Sequence, residues 1–271
     1  MRELLRRTVP VVVVLAALLA VWHAAALVVD APQGALVLQR PLLPTPLQVG
    51  QALVNGILQP PTSPRSLIYH AAVTAASAAA GFALAFVLGI GLAIAIVNVR
   101  LLDRSLMPWI IASQTVPALA VAPMVVVVLG NIGLTGLIPK ALIAAWLCFF
   151  PIVTSMVAGL RSPERIQIDL MRTYSAGSWD VFAQLRWPAS MSFLFPGMKV
   201  AATLAVVGAI VAELPTGAQA GLGARLLGAS YYGQTLQLWA ALVMASLLAV
   251  AVVAIVDGAR AVLVRTRGGR L

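Results

Sequence analysis

The feature that most constrains this chain is a series of long apolar runs. A helix of about 20 apolar residues crosses a hydrocarbon core about 30 Å thick, because each residue adds about 1.5 Å. Six segments reach or approach that length: residues 9–29, 67–97, 108–129, 141–160, 197–211 and 238–264. Such runs satisfy their backbone groups internally as helices, whereas barrel strands alternate over about 10 residues. We therefore predict an all-α, polytopic membrane protein with about six transmembrane helices.

Composition agrees with a membrane protein and excludes a soluble one. Hydrophobic residues make up 61% of the 271 residues and charged residues only 10%, against about 25% charged in soluble domains. A net charge of +10 would suggest a nucleic-acid partner in a soluble protein, but here we assign the basic residues to short connectors. No connector is long enough for a soluble domain, so residues 1–271 are predicted to form a single transmembrane domain.

The basic residues also predict the orientation of the chain. Most of the 18 lysines and arginines fall on the side that carries both termini, which is therefore expected to be cytoplasmic. Residues 9–29 follow basic residues, as a signal peptide does, but their apolar run exceeds the usual core of about 7–15 residues, so we interpret them as an uncleaved span. After this span, Thr45 and Pro46 predict a short helix on the outer surface, with an irregular loop as the alternative.

Motifs for catalysis and for metal binding are absent from the sequence. There is no G-x-x-x-x-G-K-[ST] phosphate loop, and neither Lys140 nor Lys199 follows a glycine. His23 and His70 lack acidic neighbours at metal-ligand spacing. We therefore predict a transporter subunit and not an enzyme, with no cofactor or metal of its own, whose energy comes from a partner or from an ion gradient.

Polar residues in or near the spans are candidates for a solute path or gate, because they are costly in lipid and usually face the protein interior. The candidates are Gln114, Thr115, Thr154, Glu213 and Gln219. Glu213 is a carboxylate near the outer end of the fifth span, and it is either part of a gate or partner contact, or an interfacial cap. Pro117 and Pro123 are expected to bend the third span.

The cytoplasmic connector over residues 161–196 contains its own structural signals. Ser162 and Pro163 predict the start of one helix, Ser178 the start of a second, and Pro188 its end. Between the two helices, the sequence Ser175-Ala176-Gly177 predicts a bend. The apolar side chains of this helix pair are those of Leu170, Met171, Tyr174, Trp179, Phe182 and Leu185. Such a face needs a partner, which is either another protein, or the membrane interface and the chain's own spans.

The segment from Asp169 to Pro188 resembles the "EAA" loop of ABC importer permeases. Asp169-Leu170-Met171 stands where that loop has Glu-Ala-Ala. Ser175 stands where the loop has glycine, with Gly177 as the alternative position for this glycine. Leu185-Arg186-Trp187-Pro188 matches the end of the loop. Further stretches are similar to sulfonate, taurine and nitrate permeases: Leu43-Pro44-Thr45-Pro46, Phe149-Phe150-Pro151-Ile152, Gly159-Leu160-Arg161-Ser162, Val211-Ala212-Glu213 and Gly221-Leu222-Gly223. The same branch contains permeases for riboflavin and for pyrimidine precursors of thiamine, to which Tyr231-Tyr232-Gly233-Gln234 is similar.

This resemblance implies a type I ABC importer permease fold in the bacterial inner membrane. It implies that the connector docks as a coupling helix on ATPase subunits, which would hold ATP and Mg²⁺. The implied coupling residues are Asp169, Leu170, Met171, Tyr174, Ser175, Ala176, Gly177, Trp179, Phe182, Leu185 and Pro188. A second permease copy, giving a homodimer, and a periplasmic solute-binding protein are the other implied partners.

The implied solute is a small polar organic or anionic molecule. Riboflavin or a thiamine pyrimidine precursor stands as one alternative, and a sulfonate, taurine or nitrate as the other. A secondary carrier driven by an ion gradient is the rival class of protein. It predicts an internal repeat and ionisable residues at mid-membrane, and we find neither in the sequence.

Overall fold

The structure, a computed structural model, describes residues 2–30, 41–214 and 220–266, and every regular element in these ranges is helical. In chain order the helices are α1 (Arg2–Asp30), α2 (Pro46–Ile57), α3 (Leu67–Asn98), α4 (Arg100–Ala112), α5 (Ala118–Asn131), α6 (Leu137–Leu160), α7 (Arg165–Thr173), α8 (Ser178–Glu213), α9 (Leu222–Tyr231) and α10 (Thr235–Thr266). The predicted all-α fold is confirmed.

Five of these helices, α1, α3, α6, α8 and α10, are long and apolar enough to cross a membrane. The pair α4 and α5 passes the same test together, which gives up to six spans, but the two helices meet at 100°. The third span predicted over residues 108–129 is thus a pair of helices with a sharp bend at Pro117, as in a broken span or a re-entrant loop. Pro117 separates two helices because it donates no N–H and holds Val116 in an extended conformation (φ −79°, ψ 123°). Pro123, in contrast, lies inside α5.

The central helix of the bundle is α6, which packs against α3 on one side and α8 on the other. Small residues allow this close approach. A Cβ atom added to Gly81 would lie 2.6 Å from the carbonyl oxygen of Ala141, and one added to Gly159 would lie 2.7 Å from the Cα of Ser190. Between membrane helices, close packing of this kind is a main source of stability, because lipid tails are as apolar as the side chains.

The start of α8 differs most from the prediction. Pro188 was expected to end a short helix, and the fifth span to begin at residue 197, but α8 runs unbroken from Ser178 through Pro188 to Glu213. A π-helical stretch, Val181–Arg186, directly precedes the proline, and the N–H of Trp187 donates to the carbonyl of Phe182. This wider turn relieves the clash of the proline ring with the carbonyl four residues back. The connector is therefore residues 161–177, shorter than predicted.

The surface helix predicted after Thr45 is present as α2. The Oγ1 of Thr45 accepts the N–H of Gln48 (3.4 Å), and the N–H of Thr45 donates to Oε1 of Gln48 (2.9 Å), so the helix begins in a capping box with Pro46 as its first residue. The helix packs on α10 and α3.

Two lysines lie inside long helices and not in connectors, contrary to the prediction. Lys199 is in the middle of α8 and forms an ion pair with Asp257 of α10. Lys140 is in the first turn of α6, and its Nζ lies 3.7 Å from Oε1 of Glu213 at the end of α8. Each lysine thus faces a carboxylate, as is usual for charges within membrane helices.

Candidate functional sites: a loop at one end of the bundle and a buried network at the other

The loop of residues 161–177 connects α6 to α8 and contains α7. Contrary to the prediction, Ser162 does not start α7. Its hydroxyl instead donates to the carbonyl of Gly159 (2.8 Å) and caps the end of α6. The N-cap of α7 is Glu164, whose N–H donates to Oε1 of Gln167 (3.0 Å). Because Gln167 closes this local bond, α7 begins at Arg165, two residues later than an N-cap at Ser162 would give.

The turn after α7 is a Schellman motif centred on Ser175. The N–H of Ser175 donates to the carbonyl of Arg172 (2.9 Å), and the N–H of Ala176 donates to that of Met171 (3.1 Å). Ser175 has a φ of +57°, the one positive value at a non-glycine residue in the described part of the chain. Gly177 has an extended backbone, with φ −71° and ψ 168°. The left-handed position of the motif is therefore Ser175, and not Gly177.

One face of α7 is apolar and open to solvent. Ile166, Leu170 and Tyr174 follow one another at four-residue spacing, and their exposed fractions are 73%, 56% and 77%. Trp179, in the first turn of α8, is 74% exposed and contacts the ring of Phe182 at a tilt (5.6 Å between ring centroids). We call these four exposed residues, Ile166, Leu170, Tyr174 and Trp179, the loop stripe. Ile166 was absent from the predicted set, although its spacing from Leu170 was a usable signal.

The remaining predicted coupling residues have varied surroundings. Asp169 forms an exposed ion pair with Arg172 (3.1 Å). Met171, Ala176 and Leu185 are half-buried, as is Phe182. Pro188 lies within α8 and outside the loop. The structure therefore gathers the predicted residues at one end of the bundle, with the loop stripe as the part that is open to a partner.

Glu213 lies at the opposite end of the bundle, fully enclosed by protein. Its carboxylate accepts the hydroxyl of Thr74 (3.0 Å) and the N–H of Gly223 (2.8 Å). The Nζ of Lys140 lies 3.7 Å away and donates to the carbonyl of Ala220 (3.0 Å). These contacts join α3, α6, α8 and α9.

Two further bonds hold the start of α9 against α3. The N–H of Leu222 donates to Oγ1 of Thr74 (2.8 Å), and the N–H of Gly221 donates to Nδ1 of His70 (3.0 Å). The Nε2 of His70 then donates to the carbonyl of Pro64 (2.8 Å), so the proton of this neutral tautomer is on Nε2. Gly221 has a φ of +127°, and a Cβ there would collide with the Glu213 carboxylate.

We call His70, Thr74, Lys140, Glu213 and residues 220–223 the Glu213 network. It unites the two stretches, around Glu213 and around Gly221, that sequence resemblance singled out separately. Sequence reasoning missed Thr74 and the role of His70, because both lie in an apolar helix far along the chain from their partners.

A cavity of about 730 Å³ opens beside the network, between α3, α5 and α6. Its polar lining includes Tyr69, Ser77, Thr135 and Lys140, and most of the remaining lining residues are apolar. A largely apolar pocket of this volume with a few convergent polar groups is typical of small-molecule sites.

The predicted solute-path residues do not converge on this cavity. Gln114 and Thr115 are exposed at the break between α4 and α5. The hydroxyl of Thr154 donates within α6 to the carbonyl of Phe150 (2.9 Å), and Glu213 is held in the network. Gln219 lies outside the described residues. A direct contact of these residues with solute stays a prediction.

Comparison with known proteins identifies the family. Residues 85–268 match the family described as "Binding-protein-dependent transport system inner membrane component". This chain belongs to that family. It is thus an inner-membrane permease of the ABC importer type, with the predicted type I fold.

Individual relatives of the permease differ in their solutes. This chain is 31% identical to the formylaminopyrimidine transport permease protein ThiX of Halalkalibacterium halodurans over 206 residues, 76% of this chain and 75% of the relative. It is 32% identical to the riboflavin transport system permease protein RibX of Chloroflexus aurantiacus over 183 residues, 68% of this chain and 65% of the relative. The putative aliphatic sulfonates permease SsuC of Bacillus subtilis is 25% identical over 203 residues, 75% of this chain and 70% of the relative.

Proposed function

We propose that this permease forms the solute path of an ATP-driven importer and is driven by a separate ATPase that docks on the loop stripe. The observation that carries the proposal is the stripe itself. Ile166, Leu170, Tyr174 and Trp179 expose large apolar side chains at the end of the bundle that we predict to be cytoplasmic. Contiguous exposed apolar groups of this kind mark interaction sites.

The local geometry suits a mechanical contact. The Schellman turn at Ser175 fixes α7 relative to the start of α8, so the stripe is presented on a folded element and not on a flexible loop. From Ser178, α8 continues without a break to Glu213. A displacement of the loop by an ATPase would therefore be passed along one helix to the opposite end of the bundle.

The rest of the proposed importer consists of a second copy of this chain, as a homodimer, two ATPase subunits that bind ATP and Mg²⁺, and a solute-binding protein on the outer side. The break between α4 and α5 supports a covering partner. Irregular backbone is tolerated at membrane depth only where protein or water covers it, and Gln114 and Thr115 are exposed there in the single chain.

For the solute, we propose a small polar heteroaromatic compound of the pyrimidine or flavin kind. The relatives at 31% and 32% identity are named for formylaminopyrimidine and riboflavin, and the sulfonate relative stands at 25%. The cavity of about 730 Å³ is large enough for either ring system, and Tyr69, Ser77 and Lys140 would supply stacking and hydrogen bonds.

The test compares the wild type with Tyr174→Asp, and uses Tyr174→Phe as the matched control. The tagged permease is purified from its host membranes, co-purifying ATPase activity is measured, and uptake of labelled formylaminopyrimidine, riboflavin, an alkyl sulfonate and nitrate is followed in cells. We expect ATPase activity and uptake with the wild type and Tyr174→Phe. Tyr174→Asp should lose both by about tenfold or more, because a carboxylate would be buried in the apolar contact.

Two results would contradict the proposal at different levels. Equal ATPase recovery with Tyr174→Asp would show that the stripe is not the docking surface. Uptake of sulfonate or nitrate alone would reject the proposed solute class but leave the ATP-driven importer in place.

A further inference from the structure

Within the part of the chain that the structure describes, two arginines at the end of the bundle opposite to α7 have no acidic partner. Arg65 is exposed just before α3, and Arg225 lies in the first turn of α9. In residues 41–214 and 220–266, neither guanidinium forms an ion pair. The Nε of Arg225 is shielded from solvent and makes no hydrogen bond to any described residue. An arginine in this state is short of acceptors, since all five of its N–H groups are donors.

The surroundings of Arg225 are positively charged. Burial lowers the pKa of its guanidinium, and the charge of Arg65 lowers this pKa further. The first turn of a helix also carries a partial positive charge, which disfavours a cation there. Glu213 is enclosed beneath this surface and already accepts from Thr74 and Gly223 while facing Lys140. The described residues at this surface therefore offer no free carboxylate to Arg65 and Arg225, and a negative charge would have to come from another molecule.

A small pocket lies beside these groups. Its volume is about 320 Å³, and it is lined in part by Pro64, His70, Arg225 and Tyr232. Tyr231 and Tyr232, next to it, are 80% and 72% exposed. Arginine and tyrosine are enriched at the energetic centres of protein interfaces. The pocket has less than half the volume of the cavity beside Lys140, and it suits one inserted side chain.

We infer that Arg65, Arg225, Tyr231 and Tyr232 form the docking surface for the solute-binding protein, which inserts an acidic side chain between the two arginines. The inference rests on the proposed function, since it requires an importer with a binding protein on this side. Charge complementarity selects the partner, because a carboxylate supplies the acceptors that Arg225 lacks and offsets the repulsion from Arg65.

The position of the surface links docking to the bundle. Arg225 is one turn from Gly221 and Leu222, whose N–H groups are held by His70 and Thr74. A partner that pulls on α9 therefore acts directly on the Glu213 network, where α3, α6 and α8 meet. Docking at this surface is thus coupled to the end of the helix that the ATPase would move.

The experiment measures the affinity of the purified solute-binding protein that supports uptake for the permease–ATPase complex in nanodiscs. The variants are Arg65→Gln, which changes an exposed side chain and leaves the fold intact, the double variant Arg65→Gln/Arg225→Gln, and the control Arg104→Gln at the other end of the bundle. We expect the double variant to raise Kd by about tenfold or more and to flatten its dependence on salt. Arg65→Gln alone should raise Kd less, and Arg104→Gln should leave it unchanged.

Each other outcome overturns the inference. An unchanged Kd in both arginine variants shows that the surface is not used. If the effect of the variants appears only in nanodiscs that contain anionic phosphatidylglycerol, the arginines bind lipid headgroups. If the wild type binds no solute-binding protein, docking on this surface is excluded, and ATPase co-purification then shows separately whether the proposed function survives.

Discussion

Glu213 shows how a carboxylate is held inside an apolar bundle. Burying an ionised carboxylate costs several kcal/mol unless it is paired and hydrogen-bonded. Here Gly223 and Thr74 donate to it, and Lys140 supplies the opposite charge. The carboxylate is therefore stable only as part of the whole network. Its removal would leave the buried donors of Gly223, Thr74 and Lys140 without their acceptor.

We predict that Glu213→Ala destabilises the permease by about 3–5 kcal/mol, because it leaves the nearly buried Lys140 without its carboxylate. Glu213→Gln should cost less, since its amide oxygen still accepts the N–H of Gly223. Thermal unfolding in detergent, followed by tryptophan fluorescence, measures both. If Glu213→Ala unfolds like the wild type but abolishes uptake, the gate role considered from the sequence is correct and the structural one is not.

The network also marks the limit of prediction for single residues. The sequence pointed to Glu213, because a carboxylate so close to the end of an apolar run is costly in lipid. Thr74 is 139 residues away, in a helix that is apolar on nearly all sides, and no local pattern pairs the two. Ser175 is the opposite case, because a Schellman turn is a local structure and its position could be predicted from neighbouring residues alone.

At the scale of helices, α8 shows why the ends of a helix were harder to predict than the presence of the helix. The apolar run over residues 197–211 correctly predicted a span. Pro188 and the polar residues before it predicted a loop, and the local rule that proline ends a helix was overridden by the π-helical stretch Val181–Arg186. Phe182 and Trp187, at the two ends of that stretch, pack against the buried core of the bundle, so the stretch depends on tertiary contacts that the local sequence does not reveal.

The ion pair between Lys199 and Asp257 joins α8 to α10 within the membrane-spanning part of both helices. We predict that Lys199→Met and Asp257→Leu each lower stability by about 1–3 kcal/mol, because each leaves one unpaired charge among apolar helices. The double variant should recover most of this loss, since the two apolar side chains can pack together.

A double-mutant cycle on thermal unfolding midpoints measures this coupling. The matched control pair is Asp169→Asn and Arg172→Met, an exposed ion pair in the loop whose effects on stability should be small. Additive losses at Lys199 and Asp257 would show that the two residues do not depend on each other.

At the scale of the whole molecule, α8 places the two ends of the bundle on one element. Its 36 residues would span about 54 Å as an ideal helix, from the loop stripe to the Glu213 network. The central helix α6 packs along it closely enough that glycine is needed at Gly159. Composition and apolar runs predicted this architecture well, but the coupling of its ends depends on contacts between distant segments.

The orientation of the bundle is the last prediction, and it decides which end meets which partner. Cys148 is the single cysteine and is fully buried, so Cys148→Ala gives a clean background for labelling. Tyr174→Cys and Tyr231→Cys then place one thiol at each end, at positions 77% and 80% exposed in the single chain. The permease is expressed without its ATPase, so that no docked subunit covers position 174 and a difference in labelling reports the side of the membrane. With a membrane-impermeant maleimide on intact spheroplasts, we expect labelling at position 231 at once and at position 174 only after permeabilisation, because the basic residues place the loop in the cytoplasm. The reverse pattern would put the loop stripe outside the cell, where no ATP is available to an ATPase docked on it.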